Sequence, residues 1–300
     1  VEGGYVLNGT KCFTSNGSVA QRTAMSAALD PKDPAGSGCF FVVPTDNPGF
    51  SAGRVERKMG QKASVTSEQV CEDVFVPDSH RVGPEGIAAH LTTLYLAASR
   101  GPVGAIGVGC GRRALESLLK WAAEKRNGRG RLIDQQALQV TIASMARELL
   151  AARAAYIQAC MAFDRAVCRL LSPLPVRLLL RALPLSVLCS ERFRRVAQSP
   201  AGRALTARVF EWACPGDRLM HIAGLAANAK VLGSSAGRKI AGEAMQIMGP
   251  DAADPRWGVD RAYRDARLTE IYEGTNQACS ITAFKSIAGS LVETLDGGGR

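Results

Sequence analysis

The sequence has few aromatic residues and no cysteine pair with the spacing of a metal site. Phe, Trp and Tyr make up 6% of its 300 residues, and 46% are hydrophobic, so the core must consist mainly of Ala, Leu, Val and Ile. The nine cysteines are scattered and contain no C-x-x-C pair. This scatter argues against a zinc site or a disulfide framework and favours buried thiols in a reducing compartment.

Long apolar runs and nucleic-acid modules are absent as well. No window of about 18 residues is both apolar and uncharged, so the sequence predicts no transmembrane helix. The formal net charge is +10, a balance that suits nucleic acid, anionic lipid or acidic ligands. Because neither a zinc finger nor an RNP motif is present, we expect no nucleic-acid partner. The chain begins Val-Glu-Gly-Gly, without a signal-like stretch.

The first part of the chain alternates short β-prone runs with turn residues. Asn8-Gly9 separates Tyr5-Val6-Leu7 from a second β-prone run that begins at Thr10, a pattern that predicts a hairpin. Further along, the residues 39–43 predict a buried strand, and the residues 69–77 predict a strand that ends at a proline. This region therefore indicates a β domain.

From about Gly86 the pattern changes to long helices with few breakers. The predicted helices are Ile87–Arg126, Ile133–Arg165, Asp217–Met248 and Gln277–Leu295. Five glycines recur at helical spacing in the first of them: Gly101, Gly104, Gly107, Gly109 and Gly111. They indicate close helix–helix approach rather than a phosphate loop, because they do not follow a strand as a G-x-G-x-x-G motif.

A proline-rich, basic stretch at about residues 167–215 interrupts the helices. It contains eight arginines against two acidic residues, and five prolines divide it into short apolar pieces such as Val176–Leu183. Pieces of this kind lie on a membrane surface or dock a partner. The alternative is an ordinary helical insertion that packs on the bundle, and the sequence leaves both open.

One run near the C-terminus is specific enough to indicate a family. The run from Arg264 to Gln277 includes Tyr-Glu-Gly-Thr, and it follows two further segments, Tyr5–Gly17 and Arg57–Pro77. In their order and spacing the three resemble the acyl-CoA dehydrogenases. The resemblance implies an α+β fold, with a β-barrel-like middle domain over residues 1–83 followed by a C-terminal helical bundle over residues 84–300, interrupted by the basic insertion.

The resemblance also implies a chemistry. In most of this family the glutamate of Tyr-Glu-Gly-Thr is the catalytic base, and here that residue is Glu273; alone, such a residue would be a solvated surface charge. Oxidation of an acyl-CoA to the 2,3-enoyl-CoA removes an α proton and a β hydride. No protein side chain accepts a hydride, and the resemblance implies that flavin N5 of FAD is the acceptor. Arg100 matches the arginine near the catalytic loop, and Tyr272 and Gly274 are implied to contact substrate.

Several other positions are implied to contact the cofactor. Phe13 and Ser15 match the aromatic and hydroxyl residues that meet the flavin, although alone they would be a core aromatic and a turn residue. The phosphate-binding motif R-x-x-F-G lacks its Phe here, which leaves Lys125 or Arg126 as the phosphate cation. The remaining implied cofactor contacts are Gln136, Gln246, Gly249, Thr275 and Gln277.

Two departures from the family pattern affect these expectations. Pro250 replaces the second glycine of Q-x-x-G-G and removes an N–H donor, which weakens the match at the adenylate end of the cofactor. The family also begins with a helical domain and a loop that this chain does not contain, so we expect a fragment of a larger or divided enzyme.

The expected partners follow from the same resemblance. They are an acyl-CoA substrate, an electron-transfer flavoprotein as electron acceptor, and further copies of this chain in a homo-oligomer. The expected location is the cytoplasm or the mitochondrial matrix, with peripheral membrane contact through the basic insertion. Flavin monooxygenases of the same superfamily generally lack this glutamate. The alternative outside catalysis is a membrane- or partner-binding helical module.

Overall fold

A computed structural model describes the backbone of residues 1–34, 36–171, 184–188, 190–202, 204–205, 208 and 215–297. The strands are β1 (Gly4–Ser15), β2 (Arg22–Ala28), β3 (Gly38–Pro44), β4 (Phe50–Val55), β5 (Thr66–Pro77), β6 (Arg81–Val82), β7 (Arg126–Asn127) and β8 (Gly130–Arg131). The helices are α1 (Ala88–Glu124), α2 (Gln136–Leu171), α3 (Leu185–Leu188), α4 (Glu191–Gln198), α5 (Gly216–Met248), α6 (Val259–Thr269) and α7 (Asn276–Gly297). This order of strands followed by helices confirms the predicted α+β class.

The chain divides into two compact units. The first comprises residues 1–58, 62–93 and 166–216, and the second comprises residues 59–61, 94–165 and 217–300. The domain boundary at residue 83 stays a prediction.

The first unit is built on two antiparallel sheets, with the strand orders β1-β5-β4 and β2-β3-β6. Side chains from both sheets form one core, because alternate residues of each strand point inward. This core consists of Leu7, Met25, Cys39, Phe41, Val43, Cys71, Val74 and Val76. The predicted strands at 39–43 and 69–77 are confirmed. The barrel-like arrangement is corrected: in the described part of the chain the sheets stay open and form no closed barrel.

The hairpin predicted at Asn8-Gly9 is wrong. Both β-prone runs belong to one strand, β1, which pairs with β5 along its length. The register shifts between Leu7 and Gly9, where β5 has one extra residue. The Asn8 side chain donates to the Asp73 carboxylate at 2.9 Å and accepts from the Asp73 N–H at 2.8 Å. Gly9 has φ 131, a conformation that suits a bulge as well as a turn. Cross-strand bonds to Asp73 therefore replace the turn.

The second unit has a large helical core formed by α1, α2, α5 and α6. Small residues and a few large ones fill it, with Leu118, Met145, Ile240 and Val259 among the side chains that lose almost all contact with solvent. The four long helices lie close to their predicted bounds. Helix α6 was not predicted, although Val259, Ala262 and Ala266 form a short buried stripe of small apolar residues at helical spacing. The ion pairs Asp260–Arg264 and Arg261–Asp265, one turn apart, also support it.

The glycines of α1 pack against α5 as predicted. A Cβ on Gly104 would collide with the Ala229 backbone, and one on Gly107 would collide with the Gly233 backbone. Gly111 lies in the same way near Gly237. Gly101 and Gly109 are the exceptions: a Cβ on Gly101 would meet Cys160 of α2, and one on Gly109 meets no atom within 4 Å. The close approach of two helix backbones therefore explains most of these glycines, and no phosphate loop is needed.

Part of the basic insertion, including the apolar piece at 176–183, falls outside the described residues. The described part contains the short helices α3 and α4. Ser190 caps α4 by accepting a hydrogen bond from the Phe193 N–H at 3.2 Å. Among the described helices none is long and apolar enough to cross a membrane. Contact with a membrane surface stays a prediction.

Candidate active site

Glu273 lies in the short link between α6 and α7. Its φ is 55, and the next residue, Gly274, has φ 88. Glycine adopts this left-handed region freely, whereas a glutamate does so at a cost. A non-glycine residue in this conformation is held there by its surroundings, and such residues cluster at functional sites. The contacts around Glu273 identify what holds it.

Both carboxylate oxygens of Glu273 accept a hydroxyl hydrogen bond from α1. Tyr95 Oη donates to Oε1 at 3.0 Å, and Ser99 Oγ donates to Oε2 at 2.7 Å. Because Tyr95 and Ser99 are four residues apart, they lie on the same face of α1. Burial and the Glu273 carboxylate, in that order, raise the pKa of Tyr95. The phenol therefore remains a proton donor to the carboxylate.

Arg100 supports the main chain of the same link. Its side chain is only 6% exposed, and its Nε donates to the Glu273 carbonyl at 3.0 Å. The structure thus places Arg100 against the segment that it was predicted to orient. Lys230 of α5 holds the next carbonyl, that of Gly274, at 2.8 Å. Arg100 of α1 and Lys230 of α5 therefore donate hydrogen bonds to the carbonyls of two consecutive residues.

Tyr272 is half-buried on the other side of Glu273. Its hydroxyl accepts a hydrogen bond from Gln61 Nε2 at 3.2 Å, and the same amide donates to the Asp265 carbonyl at 3.0 Å. Burial raises the pKa of Tyr272, and the Gln61 bond opposes this shift. Gly60 allows this segment to lie directly on α6, because a Cβ there would overlap the backbone of Arg264. Contact of Tyr272 with substrate stays a prediction.

The predicted phosphate cations lie at the end of α1. Lys125 Nζ forms an ion pair with Asp251 at 2.7 Å, and Trp121 Nε1 donates to the same carboxylate at 2.8 Å. This pair joins the end of α1 to the turn after α5, which contains Gly249. Since Lys125 already has a carboxylate partner, Arg126 in β7 is the better candidate for an anionic ligand.

The remaining predicted cofactor residues occupy exposed positions at helix ends. Gln136 begins α2, Gln246 lies in the last turn of α5, and Gln277 lies in the first turn of α7. Thr275 caps α7, because its hydroxyl accepts from the Ala278 N–H at 3.3 Å. Gly249 has φ 58 and open space around its Cα. Their contacts with a cofactor stay predictions.

Phe13 and Ser15 belong to the first unit and lie near the end of β1. Phe13 is 70% exposed and has φ 58, in a stretch where the register between β1 and β5 shifts. Bulges of this kind re-aim a side chain, and they are common beside active sites. The exposure rules out the alternative of Phe13 as a core aromatic. Ser15 is exposed as well.

Sequence reasoning missed three residues that contact the Glu273 link: Tyr95, Ser99 and Lys230. A signal for the first two was available, because hydroxyl residues four apart directly precede Arg100 on a predicted helix. Lys230 stood out as a single charge within the apolar run Ile222–Leu232. Among the described residues no cluster of His, Cys, Asp or Glu could hold a metal ion.

Comparison with known proteins places this arrangement in a family. The model of the acyl-CoA dehydrogenase C-terminal domain matches residues 85–169 and 191–286. The model of the acyl-CoA dehydrogenase middle domain matches residues 1–74. The chain belongs to the acyl-CoA dehydrogenase family. The C-terminal match stops at residue 169 and resumes at residue 191, so the break falls within the predicted insertion.

Individual relatives are similar to the chain over most of its length. Cyclohexane-1-carbonyl-CoA dehydrogenase of Geobacter metallireducens is 28% identical over 283 residues, which cover 94% of this chain and 60% of that protein. Butyryl-CoA dehydrogenase of Megasphaera elsdenii shares the fold, with a TM-score of 0.72 at 24% identity, over 94% of this chain and 60% of that one.

A third relative is a chain from the structure of the electron transferring flavoprotein of Acidaminococcus fermentans. It matches with a TM-score of 0.72 at 26% identity, over 96% of this chain and 62% of that one. The present chain thus spans less than two thirds of the length of each relative.

Proposed function

We propose that the protein oxidises an acyl-CoA thioester to its 2,3-enoyl-CoA, with Glu273 as the base that removes the α proton. One observation carries this proposal. The Glu273 carboxylate is held at both oxygens by hydroxyls of α1, while Arg100 holds its main-chain carbonyl. A base can act only when its oxygen has a fixed position beside the proton that it removes.

The reaction requires such a base because the α proton of a thioester is only weakly acidic. Its removal places negative charge on the thioester oxygen, which needs hydrogen-bond donors. By family resemblance the Glu273 N–H is one of them. Gly274 is implied by the family resemblance to contact the substrate. In the structure a Cβ on it would lie 3.1 Å from Arg100 Nη2, so glycine at this position lets Arg100 lie close to the link. In this proposal Tyr272 contacts the substrate beside Glu273.

We propose FAD as the cofactor, which supplies the hydride acceptor that the side chains lack. The described residues fit a phosphate-bearing cofactor in two respects. Arg126 places a permanent cation at the end of α1, and Gly249 offers backbone that no Cβ covers. Phe13 and Ser15 would meet the flavin, and Gln136, Gln246, Thr275 and Gln277 would contact it from helix ends.

The proposed electron acceptor is an electron-transfer flavoprotein. The likeness of the chain to part of an electron transferring flavoprotein structure supports a link to that electron-transfer system. A homo-oligomer is also proposed, and large apolar side chains that remain exposed on α2 and α7 support it: Val140, Leu150, Met161, Ile281 and Phe284. Peripheral membrane contact and a location in the cytoplasm or mitochondrial matrix stay proposals.

The direct test is the flavin absorbance of the purified protein, reconstituted with FAD where necessary and mixed with acyl-CoAs of increasing chain length. The intact protein should lose its flavin absorbance. Glu273→Gln should slow this bleaching by about 10²–10⁴-fold, the usual contribution of a positioned base. Glu116→Gln is the matched control, because Glu116 pairs with Arg112 on the surface of α1.

The control variant should bleach as fast as the intact protein. Bleaching of Glu273→Gln at the rate of the control would remove Glu273 from the reaction. If no acyl-CoA bleaches the intact, FAD-bound protein, the dehydrogenase proposal fails, and the non-catalytic helical module becomes the better interpretation.

A further inference from the structure

Lys230 is the least exposed charged side chain in the described part of the chain, at 0% exposure. Its Nζ donates to the Gly274 carbonyl at 2.8 Å and to Asn276 Oδ1 at 2.8 Å. Both acceptors are neutral. Among the described residues no carboxylate oxygen forms an ion pair with this ammonium group, whereas Lys239 on the same helix pairs with Glu148 at 2.7 Å.

A buried ammonium that forms no ion pair is costly to maintain. Removal of a charge from water costs several kcal/mol, and neutral hydrogen-bond partners return only part of that. An apolar residue of similar length would fill the same space in α5 without this cost. The presence of a charge at Lys230 therefore needs an explanation, and the groups that its two hydrogen bonds hold in place offer one.

The two bonds fix the backbone on the C-terminal side of Glu273. The Gly274 carbonyl belongs to the residue that follows the base, and Asn276 begins α7. Ser234 also donates to Asn276 Oδ1 at 3.1 Å, and Asn276 Nδ2 donates to Ser235 Oγ at 3.1 Å. Lys230 thus ties the left-handed pair of residues at 273 and 274 to both α5 and α7.

We infer that Lys230 is a positioning residue for the base: its protonated amine holds the Gly274 carbonyl and Asn276, and thereby fixes the backbone from which Glu273 projects. This inference rests on the proposed role of Glu273. Lys230 acts through the link and needs no contact with substrate.

The charges around Lys230 predict how its effect depends on pH. Burial lowers its pKa to about 8, and Arg100 acts in the same direction, whereas Cys279, Glu270 and Glu273 oppose the shift. These four are the titratable groups that face the ammonium from α1, the end of α6, the link and α7. The positive charge is therefore lost as pH rises through about 8, and the hold on the link weakens.

The free energy of unfolding should increase as pH rises through this range, while the hold on the link weakens. The pKa of Lys230 in the folded chain lies below the value of 10.5 for a free lysine. Between these two pH values the unfolded chain binds more protons, so stability rises with pH. Activity should fall over the same range. A residue that merely stabilised the fold would not produce this divergence.

The experiment compares three variants by steady-state dehydrogenation across pH. Lys230→Met keeps the length of the side chain and removes the charge, and kcat should fall by about 10²-fold with little change in KM, because the base is misplaced. The alkaline decline near pH 8 should disappear as well. Lys239→Met, an exposed lysine on the same helix, is the control and should keep both kcat and the decline.

Asn276→Asp provides the opposite perturbation. A carboxylate beside Nζ favours the ammonium form, so the alkaline decline should move to higher pH. A loss of folding alone cannot produce this upward movement. The inference is overturned if Lys230→Met keeps the kcat and the alkaline decline of the intact protein, or if Asn276→Asp leaves the decline where it was.

Amide hydrogen exchange tests the hold on the link without any reaction. In Lys230→Met the amides of residues 273–279 should lose protection, and in the intact protein they should lose it above about pH 8 after correction for the intrinsic rate. Unchanged protection in Lys230→Met would refute the inference. If the intact protein dehydrogenates no acyl-CoA, the proposed function fails, and the exchange result still decides whether Lys230 fixes this backbone.

Discussion

Replacement of Gly107 by alanine is the sharpest test of how the two long helices support the site. A Cβ at this position would lie 2.8 Å from Ser234 Cα and within overlap of the Gly233 carbonyl. These are backbone atoms, so no side-chain rotation relieves the clash, and α1 and α5 must move apart. Overpacking costs about 1–3 kcal/mol, while the helix gains about 0.5–1 kcal/mol from the loss of a glycine.

The expected result is a net destabilisation of about 2 kcal/mol, near the upper end of this range because the obstacle is main chain. Activity should fall as well. Arg100 lies two turns before Gly107 on α1, and Lys230 lies one turn before Ser234 on α5. Separation of the helices lengthens the 3.0 Å and 2.8 Å bonds through which these two cations hold the Glu273 link.

Urea denaturation followed by circular dichroism measures the stability, and flavin bleaching measures the activity. Gly109→Ala is the control, because it changes the same residue type in the same helix at a position with open space. The control should gain about 0.5–1 kcal/mol and keep its activity. If Gly107→Ala is as stable as Gly109→Ala, the backbones of α1 and α5 are not in contact and the packing argument is wrong.

Two further predictions concern charge. Because burial and the Glu273 carboxylate raise the pKa of Tyr95, Glu273→Gln should shift this phenol's ionisation to lower pH in an ultraviolet absorbance titration; an unchanged titration would mean that Tyr95 does not contact Glu273. If α4 contributes to membrane contact, the double variant Arg192→Gln, Arg195→Gln should weaken flotation with anionic vesicles by about 2 kcal/mol, and equal flotation of intact protein and variant would exclude these arginines.

The sequence was sufficient for the long helices and for the buried strands, because these depend on apolar periodicity and on few breakers. It was also sufficient to place Glu273 and Arg100 together, since the run from Arg264 to Gln277 has the spacing of a known family. The glycines of α1 were interpreted correctly for a physical reason: helical spacing of glycine permits backbone approach. The pairing of Arg100 with Glu273 came from the family resemblance, whereas the other predictions rest on patterns local to one segment.

The predictions that were wrong or missing concern contacts between residues far apart in the sequence. The turn signal of Asn8-Gly9 was overridden by hydrogen bonds to Asp73, which is 65 residues away. Sequence proximity likewise gave no indication that Lys230 reaches Gly274, across 44 residues, or that Asp251 pairs with Lys125. Tertiary partners of this kind decide the local structure, and they become visible only when the helices are assembled.

The left-handed conformation of Glu273 explains why Arg100 and Lys230 both bond to this link. A non-glycine residue in the left-handed region costs of order 1–3 kcal/mol, and the link would relax if its carbonyl groups were free. Arg100 and Lys230 each provide a hydrogen bond from a charged donor, and such bonds contribute about 1.5–3 kcal/mol apiece. Both bonds oppose the strain at Glu273. Loss of either cation should therefore weaken the hold on this residue, whose position depends on two helices that meet through glycine.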